Sequence, residues 1–179
     1  MVDQPYVAEL DRLPADEFSA AVAPLFEGGT RFLARLATRR PFGTAQQLFD
    51  EALDVALRMP EAEQVELVDA HPRLGAPPGS VSAMSFAEQG YDRDAADAAA
   101  EAERARVDAE LADLNDEYER RFGFRYCVFV AGRTRAELIP DFRLALGRPR
   151  DEELRRALHD VVAIARARFD VARRGAPVR

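Results

Sequence analysis

Three groups of polar side chains in this sequence have the residue types needed for acid–base chemistry on a small molecule. His71 is the first, because an imidazole with an unperturbed pKa of about 6.5 suits proton transfer near neutral pH. It stands directly before Pro72, where a helical pattern ends and an irregular segment begins. A histidine at a helix C-terminus is also favoured by the helix dipole, so a purely structural role is the alternative here.

The second group is the short segment SFAEQ, which covers residues 85–89. Ser85 and Glu88 have the spacing of a helix capping box, so helix initiation alone would explain both residues. That interpretation leaves Gln89 without a role. Because a helix N-terminus also offers N–H groups to an anionic ligand, capping and ligand binding are compatible here.

Arg168 is the third candidate and belongs to the last helical segment. At about 100° per residue, it falls beside the apolar stripe formed by Val161, Ala165 and Phe169. An arginine at the edge of a buried face extends to water, forms an ion pair or binds an anionic ligand. Periodicity alone does not choose among these roles.

The elements that must position these residues are predicted to be helical. Apolar residues recur at spacings of three and four along most of the chain, which predicts an all-α fold, a single compact bundle of about seven or eight helices. We expect a single domain over residues 1–179, with an ordered core at about 12–174. The segment HPRLGAPPGSVSA, residues 71–83, has three prolines and two glycines and is predicted to be a loop. Loops on a rigid scaffold are favoured places for chemistry.

A long helix is predicted from about residue 94 to 121, with Gly123 as its C-cap. Its inner face near the end carries Leu111, Leu114 and Tyr118. We assign Asn115 and Glu117 to the solvent face of this charged helix.

The segment RYCVFV, residues 125–130, follows the long helix and resembles a strand locally. Because no partner strand is predicted, we interpret it as a buried extended connector that contains the core residue Cys127. Thr134 and Glu137 then form a capping box that starts a helix to about Leu146. A last helix is predicted from residue 151 to about 173.

Composition and motifs argue against several classes of protein. The formal net charge of −7 does not suit sequence-independent nucleic-acid binding. One cysteine and two histidines cannot build a Cys/His zinc site or an intramolecular disulfide, and we expect no metal. Dinucleotide-binding, phosphate-loop and serine-elbow motifs are missing. No apolar run approaches the roughly 20 residues of a membrane span, and no secretory signal pattern is found, so a cytoplasmic location is expected.

Four pieces of the sequence occur in an ordered set that is informative as a whole. They are HPRLG at 71–75, SFAEQ at 85–89, FGF at 122–124 and IARARF at 164–169, and LNDEY at 114–118 and GRTRAEL at 132–138 fit the same set. The set resembles the 2-oxo-4-hydroxy-4-carboxy-5-ureidoimidazoline (OHCU) decarboxylase family, over roughly residues 15–174. The resemblance implies an all-α, usually dimeric enzyme that needs no cofactor. Its small-molecule substrate would be the OHCU acid formed after urate oxidase and hydroxyisourate hydrolase, and its product S-allantoin.

The resemblance also implies a role for each candidate residue. His71 would be the acid/base residue, with Glu88 as the second catalytic residue. The expected substrate-binding residues are Pro72 in the wall of the site, Ser85 lining it, Gln89 on the ring and ureido groups, the backbone just after Phe124 on the amide edge, and Arg168 on an anionic or carbonyl oxygen.

Two departures from the family pattern leave alternatives open. Arg73 stands where many members carry Asp, and EGGTRF at 27–32 replaces a Glu-His-Ser-Pro-Trp run. One alternative is an enzyme of the same fold that acts on a related ureido or cyclic amide acid. The other is a non-enzymatic helical binding module that uses the acidic helix at 94–119 as its surface.

Overall fold

The computed structural model describes residues 4–90 and 98–175, and the regular structure in these ranges is helical. The helices are α1 Gln4–Arg12, α2 Ala15–Val22, α3 Thr30–Ala37, α4 Ala45–Arg58, α5 Glu61–Asp69, α6 Ala83–Glu88, α7 Ala98–Phe122, α8 Arg135–Ala145 and α9 Arg150–Gly175. Single 3₁₀ turns occupy Ala23–Phe26 and Pro78–Ser80. The predicted all-α class is confirmed, with nine α-helices in the described ranges where seven or eight were expected. The predicted start of the long helix, near residue 94, lies outside those ranges.

Helix α1 is the element that the sequence analysis did not predict. Val7 and Leu10 are three residues apart and are 0% and 4% exposed, and the Tyr6 ring lies edge-on to Phe169 with centroids 5.3 Å apart. A nine-residue helix is marginal on its own in water, so tertiary packing of this apolar side stabilises it.

The chain divides into two compact units, and the first comprises residues 1–70 and 154–179. Its core is rich in phenylalanine. The Phe26 and Phe32 ring centroids are 4.8 Å apart, and those of Phe49 and Phe169 are 5.5 Å apart in an edge-to-face arrangement. Such pairs add to the stabilisation that comes from burial of their area.

The second unit comprises residues 71–153 and is centred on the buried Tyr118 of α7. Its aromatic cluster consists of Tyr118, Phe122, Phe124, Tyr126 and Phe142. Tyr126 stacks on Phe142 with centroids 3.7 Å apart. Tyr126 and Cys127 of the extended connector after α7 are therefore buried, as predicted, while residues 128–130 are partly buried. The assignment of the whole chain to a single domain stays a prediction.

The predicted end of the helix before this connector and the predicted start of the helix after it are both confirmed. The Gly123 N–H bonds to the Glu119 carbonyl at 2.8 Å, and its φ of +75° is the left-handed conformation that glycine adopts without strain. At the start of α8, the Thr134 hydroxyl accepts a hydrogen bond from the Glu137 N–H, and the Glu137 carboxylate accepts one from the Thr134 N–H at 2.8 Å. The hydrogen bonds that the Glu137 carboxylate accepts from the Thr134 N–H and from the Thr134 hydroxyl hold the pKa of the Glu137 carboxyl below its usual value.

We expect Thr134→Ala to lower the free energy of unfolding by about 1 kcal/mol, the usual cost of losing an N-cap side chain. The substitution leaves the Glu137 N–H without the hydroxyl that it bonds at 3.3 Å. Urea unfolding followed by circular dichroism measures the change. An unfolding midpoint equal to that of the wild type would contradict a stabilising role for this cap.

Candidate active site

His71 opens the loop between α5 and α6, in the segment where the proline- and glycine-rich sequence predicts irregular structure. The residue is 3% exposed, and its carbonyl accepts a hydrogen bond from Arg125 Nη1 at 3.2 Å. Pro72, the next residue, is partly buried. The imidazole is thus held close to the protein interior and not on a freely solvated turn.

Gln89 fixes the backbone of this loop with both ends of its amide side chain. Its Oε1 accepts from the Gly75 N–H at 2.7 Å, and its Nε2 donates to the Arg73 carbonyl at 3.2 Å. Gln89 is 8% exposed, so these bonds are largely screened from water. The residue that capping could not explain therefore connects the end of α6 to the loop that follows His71.

The Arg73 side chain extends to helix α7. Its guanidinium donates to the two carboxylate oxygens of Glu119 at 2.7 and 2.6 Å and to Asp116 at 3.0 Å. The hydrogen bond to Glu119 is the largest cause that raises the pKa of Arg73 above its usual value. At the position where Arg73 departs from the family pattern, the side chain is thus occupied by an ion-pair cluster.

The capping box predicted from Ser85 and Glu88 is wrong. Helix α6 begins at Ala83, and its N-cap is Ser82, whose hydroxyl accepts from the Ser85 N–H at 3.2 Å. Ser85 is 3% exposed, which places its side chain inside the protein and not at the helix start. Two serines three residues apart offered two caps, and the earlier one is used. Helix initiation therefore does not account for Ser85 or Glu88.

Phe124 offers only its backbone to a ligand. Its side chain is 1% exposed and packs edge-on against Tyr118, with ring centroids 5.6 Å apart, while the Arg150 guanidinium lies 5.5 Å from the ring centroid. The expected substrate contact through main-chain atoms that follow the FGF turn stays a prediction.

Arg168 belongs to the first unit, where an ion pair fixes it. It is 3% exposed; its Nη2 lies 2.8 Å from the Glu27 carboxylate, and its Nη1 donates to the carbonyls of Pro24 and Leu25 at 3.2 and 3.3 Å. Glu27 has a left-handed backbone, with φ of +50°, at the end of the 3₁₀ turn. Of the three roles considered for Arg168, the structure shows the ion pair, and this ion pair is buried.

The structure places six of the predicted site residues in the second unit. They are His71, Pro72, Ser85, Glu88, Gln89 and Phe124. Hydrogen bonds of Gln89 bring the end of α6 to the loop after His71. Arg168 is in the other unit, and its part in the site remains a prediction.

Asn115 is the residue near the site that the sequence analysis assigned wrongly. It was expected to face solvent, yet it is 2% exposed and its Nδ2 donates to the Leu74 carbonyl at 2.9 Å. Its spacing from Leu111 and Tyr118 places it on the inner face of α7, a signal that the charged surroundings obscured. Glu117 is exposed, as predicted.

The described part of the chain has neither a cluster of metal-ligating side chains nor a membrane-spanning helix. In residues 4–90 and 98–175, no group of three or more His, Cys, Asp or Glu side chains is arranged to hold a metal ion. Within the same ranges, no helix has the length and apolar character needed to span a bilayer.

Two solved structures match the fold of this chain. The structure titled "Crystal structure of OHCU decarboxylase in the presence of (S)-allantoin" matches with a TM-score of 0.65 and 23% identity, covering 85% of this chain and 96% of that chain. The structure titled "Crystal structure of (S)-allantoin synthase" matches with a TM-score of 0.65 and 19% identity, covering 93% of this chain and 53% of that one. At these identities the likeness shows the fold.

Two curated relatives match most of this chain. They are the "Uric acid degradation bifunctional protein" of Bacillus sp. strain TB-90, 24% identical over 161 residues, and the "Uric acid degradation bifunctional protein PucL" of Bacillus subtilis strain 168, 26% identical over 161 residues. Each match covers 90% of this chain but 31% of the relative, so the chain spans about a third of the relatives' length.

The family model for OHCU decarboxylase matches residues 11–170, which is most of the chain. The chain therefore belongs to the OHCU decarboxylase family. The resemblance inferred from the ordered motifs is confirmed.

Proposed function

We propose that this protein is a carboxy-lyase that converts OHCU into S-allantoin in urate degradation. The observation that carries the proposal is the family match over residues 11–170, a span that contains His71, the segment 85–89, the FGF turn and Arg168. The loop geometry adds support, because His71 is nearly buried while the main chain after it is fixed from α6 and α7. A fixed acid/base group is what proton transfer at one carbon requires.

Decarboxylation of this substrate requires little covalent chemistry from a protein. Loss of carbon dioxide leaves an electron pair on a ring carbon, and the conjugated imidazoline of the substrate can hold that charge. The protein then has to orient the substrate, stabilise the charge and deliver a proton. We assign acid/base catalysis to His71, with Glu88 as the second catalytic residue. Protonation from one face by a fixed imidazole yields a single enantiomer.

The substrate-binding roles are proposed residue by residue. Ser85 lines the site, which fits a buried serine that does not cap its helix. Gln89 both holds the loop and presents its carboxamide to the ring and ureido groups. Pro72 forms part of the wall of the site, and the main chain after Phe124 binds the amide edge of the substrate. For Arg168, the proposed contact with a carbonyl or carboxylate oxygen rests on the family resemblance.

Independence of cofactors and a homodimeric state are further proposals that follow from the family resemblance, and a cytoplasmic location is proposed as well. Activity that survives exhaustive dialysis against a chelator would support cofactor independence. Light scattering at several protein concentrations would measure the oligomeric state.

The test of function generates the unstable substrate in place, from urate with urate oxidase and hydroxyisourate hydrolase. The protein is then added, and circular dichroism follows the appearance of allantoin. We expect faster decay of the intermediate and an optically active product. Unchanged spontaneous decay to racemic allantoin would overturn the proposal and favour an enzyme for a related ureido acid.

We expect Arg73→Ala to leave the preference for OHCU over related ureido and cyclic amide acids unchanged. The guanidinium binds Glu119 and Asp116, and 39% of the side chain is exposed. An exposed ion pair of this kind contributes up to about 1 kcal/mol, so the loss of stability should also be small.

The measurement is kcat/KM for each substrate in the wild type and the variant. An altered ranking of substrates in Arg73→Ala would show that this family departure changes specificity, and would favour the related-substrate enzyme. We propose no second function, because the ion-pair cluster accounts for Arg73 without one.

A further inference from the structure

Four backbone polar groups in the segment 71–75 are bound by side chains or by neighbouring elements. The His71 carbonyl is bound by Arg125, and the Arg73 carbonyl and Gly75 N–H are bound by Gln89. The Leu74 carbonyl is bound by Nδ2 of Asn115 at 2.9 Å. The loop lacks helix or strand hydrogen bonding here and has a turn bond from the Ala76 N–H to the Arg73 carbonyl at 3.2 Å, so these side-chain contacts help to determine its path.

Asn115 makes the contact from the most buried position. It is 2% exposed, and its Nδ2 also donates to the Leu111 carbonyl one turn earlier at 2.7 Å. Among the described residues, its Oδ1 is buried and makes no hydrogen bond. Burying an amide oxygen in this way is unfavourable. Of the two hydrogen bonds that Nδ2 donates, the one to the Leu74 carbonyl joins α7 to the loop.

Gly75 brings the same loop against α7. A Cβ atom added to Gly75 would lie 2.9 Å from Leu111 Cδ1 and 3.2 Å from Leu111 Cβ, and the φ of Gly75 is +79°. Leu111 and Asn115 are four residues apart on one face of the helix. The helix therefore contacts the loop by close packing at Gly75 and by a hydrogen bond at Leu74.

We propose that Asn115 is a positioning residue for His71: it holds the Leu74 carbonyl on α7 and so fixes the loop that presents the imidazole. The expected effect on kcat rests on the proposed function, whereas the expected effect on the geometry of the loop does not. Asn115 touches no reacting atom in this account. It acts on the reaction through Pro72 and Arg73, the two residues that lie between His71 and Leu74.

The main variant is Asn115→Leu, which keeps a similar volume and removes both the donor and the buried amide oxygen. The matched control is Glu117→Leu, since Glu117 is exposed on the same helix. We expect kcat to fall by about 10- to 100-fold in Asn115→Leu with KM little changed, because small displacements of a catalytic group have effects of this order. The control should retain wild-type kcat.

Two readouts do not depend on turnover. Hydrogen exchange of a peptide covering residues 72–77 should be faster in Asn115→Leu, since the Gly75 N–H loses its fixed geometry. The chain has two histidines, so the imidazole signals in its NMR spectra come from His71 and His159, and a His159→Ala variant assigns them. The His71 signals should move in Asn115→Leu and stay unchanged in Glu117→Leu.

Wild-type kcat, exchange and His71 signals in a folded Asn115→Leu would overturn the proposal, even if its melting temperature fell. If that variant does not fold, Gly75→Ala replaces it, because it disturbs the same contact from the loop side and is judged on the same three readouts. If the wild type lacks decarboxylase activity, the proposed function fails, whereas exchange and the His71 signals still decide whether Asn115 positions the loop.

Discussion

His71→Ala should lower kcat/KM for S-allantoin formation by about 10²- to 10⁴-fold, the usual effect of removing a positioned acid/base group. The remaining product should be racemic, because proton delivery would then come from water on either face. The variant should stay folded, since backbone groups of the loop are bound by Gln89, Asn115 and Arg125.

The chain offers a matched control for this substitution. His159, the other histidine, is exposed on α9, and His159→Ala should retain full activity. Circular dichroism of the product measures the stereoselectivity, and the far-ultraviolet spectrum with a melting curve checks folding. Normal stereoselective turnover in a folded His71→Ala would remove His71 from the mechanism.

Glu153→Ala should be among the most destabilising single substitutions in the second unit, at about 2–4 kcal/mol. Glu153 is 0% exposed; its carboxylate accepts from the Tyr118 hydroxyl at 2.9 Å and lies 3.0 Å from Arg148 Nη1. The alanine leaves the buried Tyr118 hydroxyl without this acceptor and opens a cavity, and both effects lower stability. Arg148 is 46% exposed, so water can solvate it once the carboxylate is gone, and the cost stays below that of an isolated buried charge.

Urea unfolding of Glu153→Ala, Glu153→Gln and Tyr118→Phe separates the contributions. Glutamine preserves the volume and an oxygen that accepts from Tyr118, so its loss should be smaller than that of alanine. Tyr118→Phe removes the hydroxyl, but the Glu153 carboxylate keeps its ion pair with Arg148. Its loss of stability should therefore also be smaller than that of Glu153→Ala. Equal stability of Glu153→Ala and the wild type would show that this buried contact does not stabilise the unit.

Sequence patterns predicted the helices that have a broad apolar stripe or a clear start signal. Helix α8 is an example, because Thr134 and Glu137 form the reciprocal cap that their spacing indicated. Helix α1 was not predicted because it is short and depends on packing of Val7 and Leu10. The start of α6 was misplaced because Ser82 and Ser85 both had cap chemistry, and only burial of Ser85 decides between them.

For the candidate site, the sequence identified residue types but not the contacts that hold them. The ordered motifs selected His71, Gln89 and Arg168 together, and all three lie within the span of the family match, while their roles stay predictions. The bond of Gln89 to the loop and the pairing of Arg168 with Glu27 join residues remote in sequence, which single-chain periodicity cannot reveal. Asn115 was missed because one polar residue on an inner face looks like a solvent-facing one when its helix is highly charged.

Main-chain anchoring of the loop after His71 has an evolutionary consequence. Gln89 and Asn115 donate hydrogen bonds to the main-chain carbonyls of residues 73 and 74, so these bonds do not involve the side chains at those two positions. Substitutions at the partly exposed position 73 can accumulate without redirecting the chain, as long as glycine follows at position 75, whereas Leu74 is 4% exposed and is also held by packing. An arginine at position 73 in place of the aspartate of many relatives is the kind of drift that such a loop tolerates.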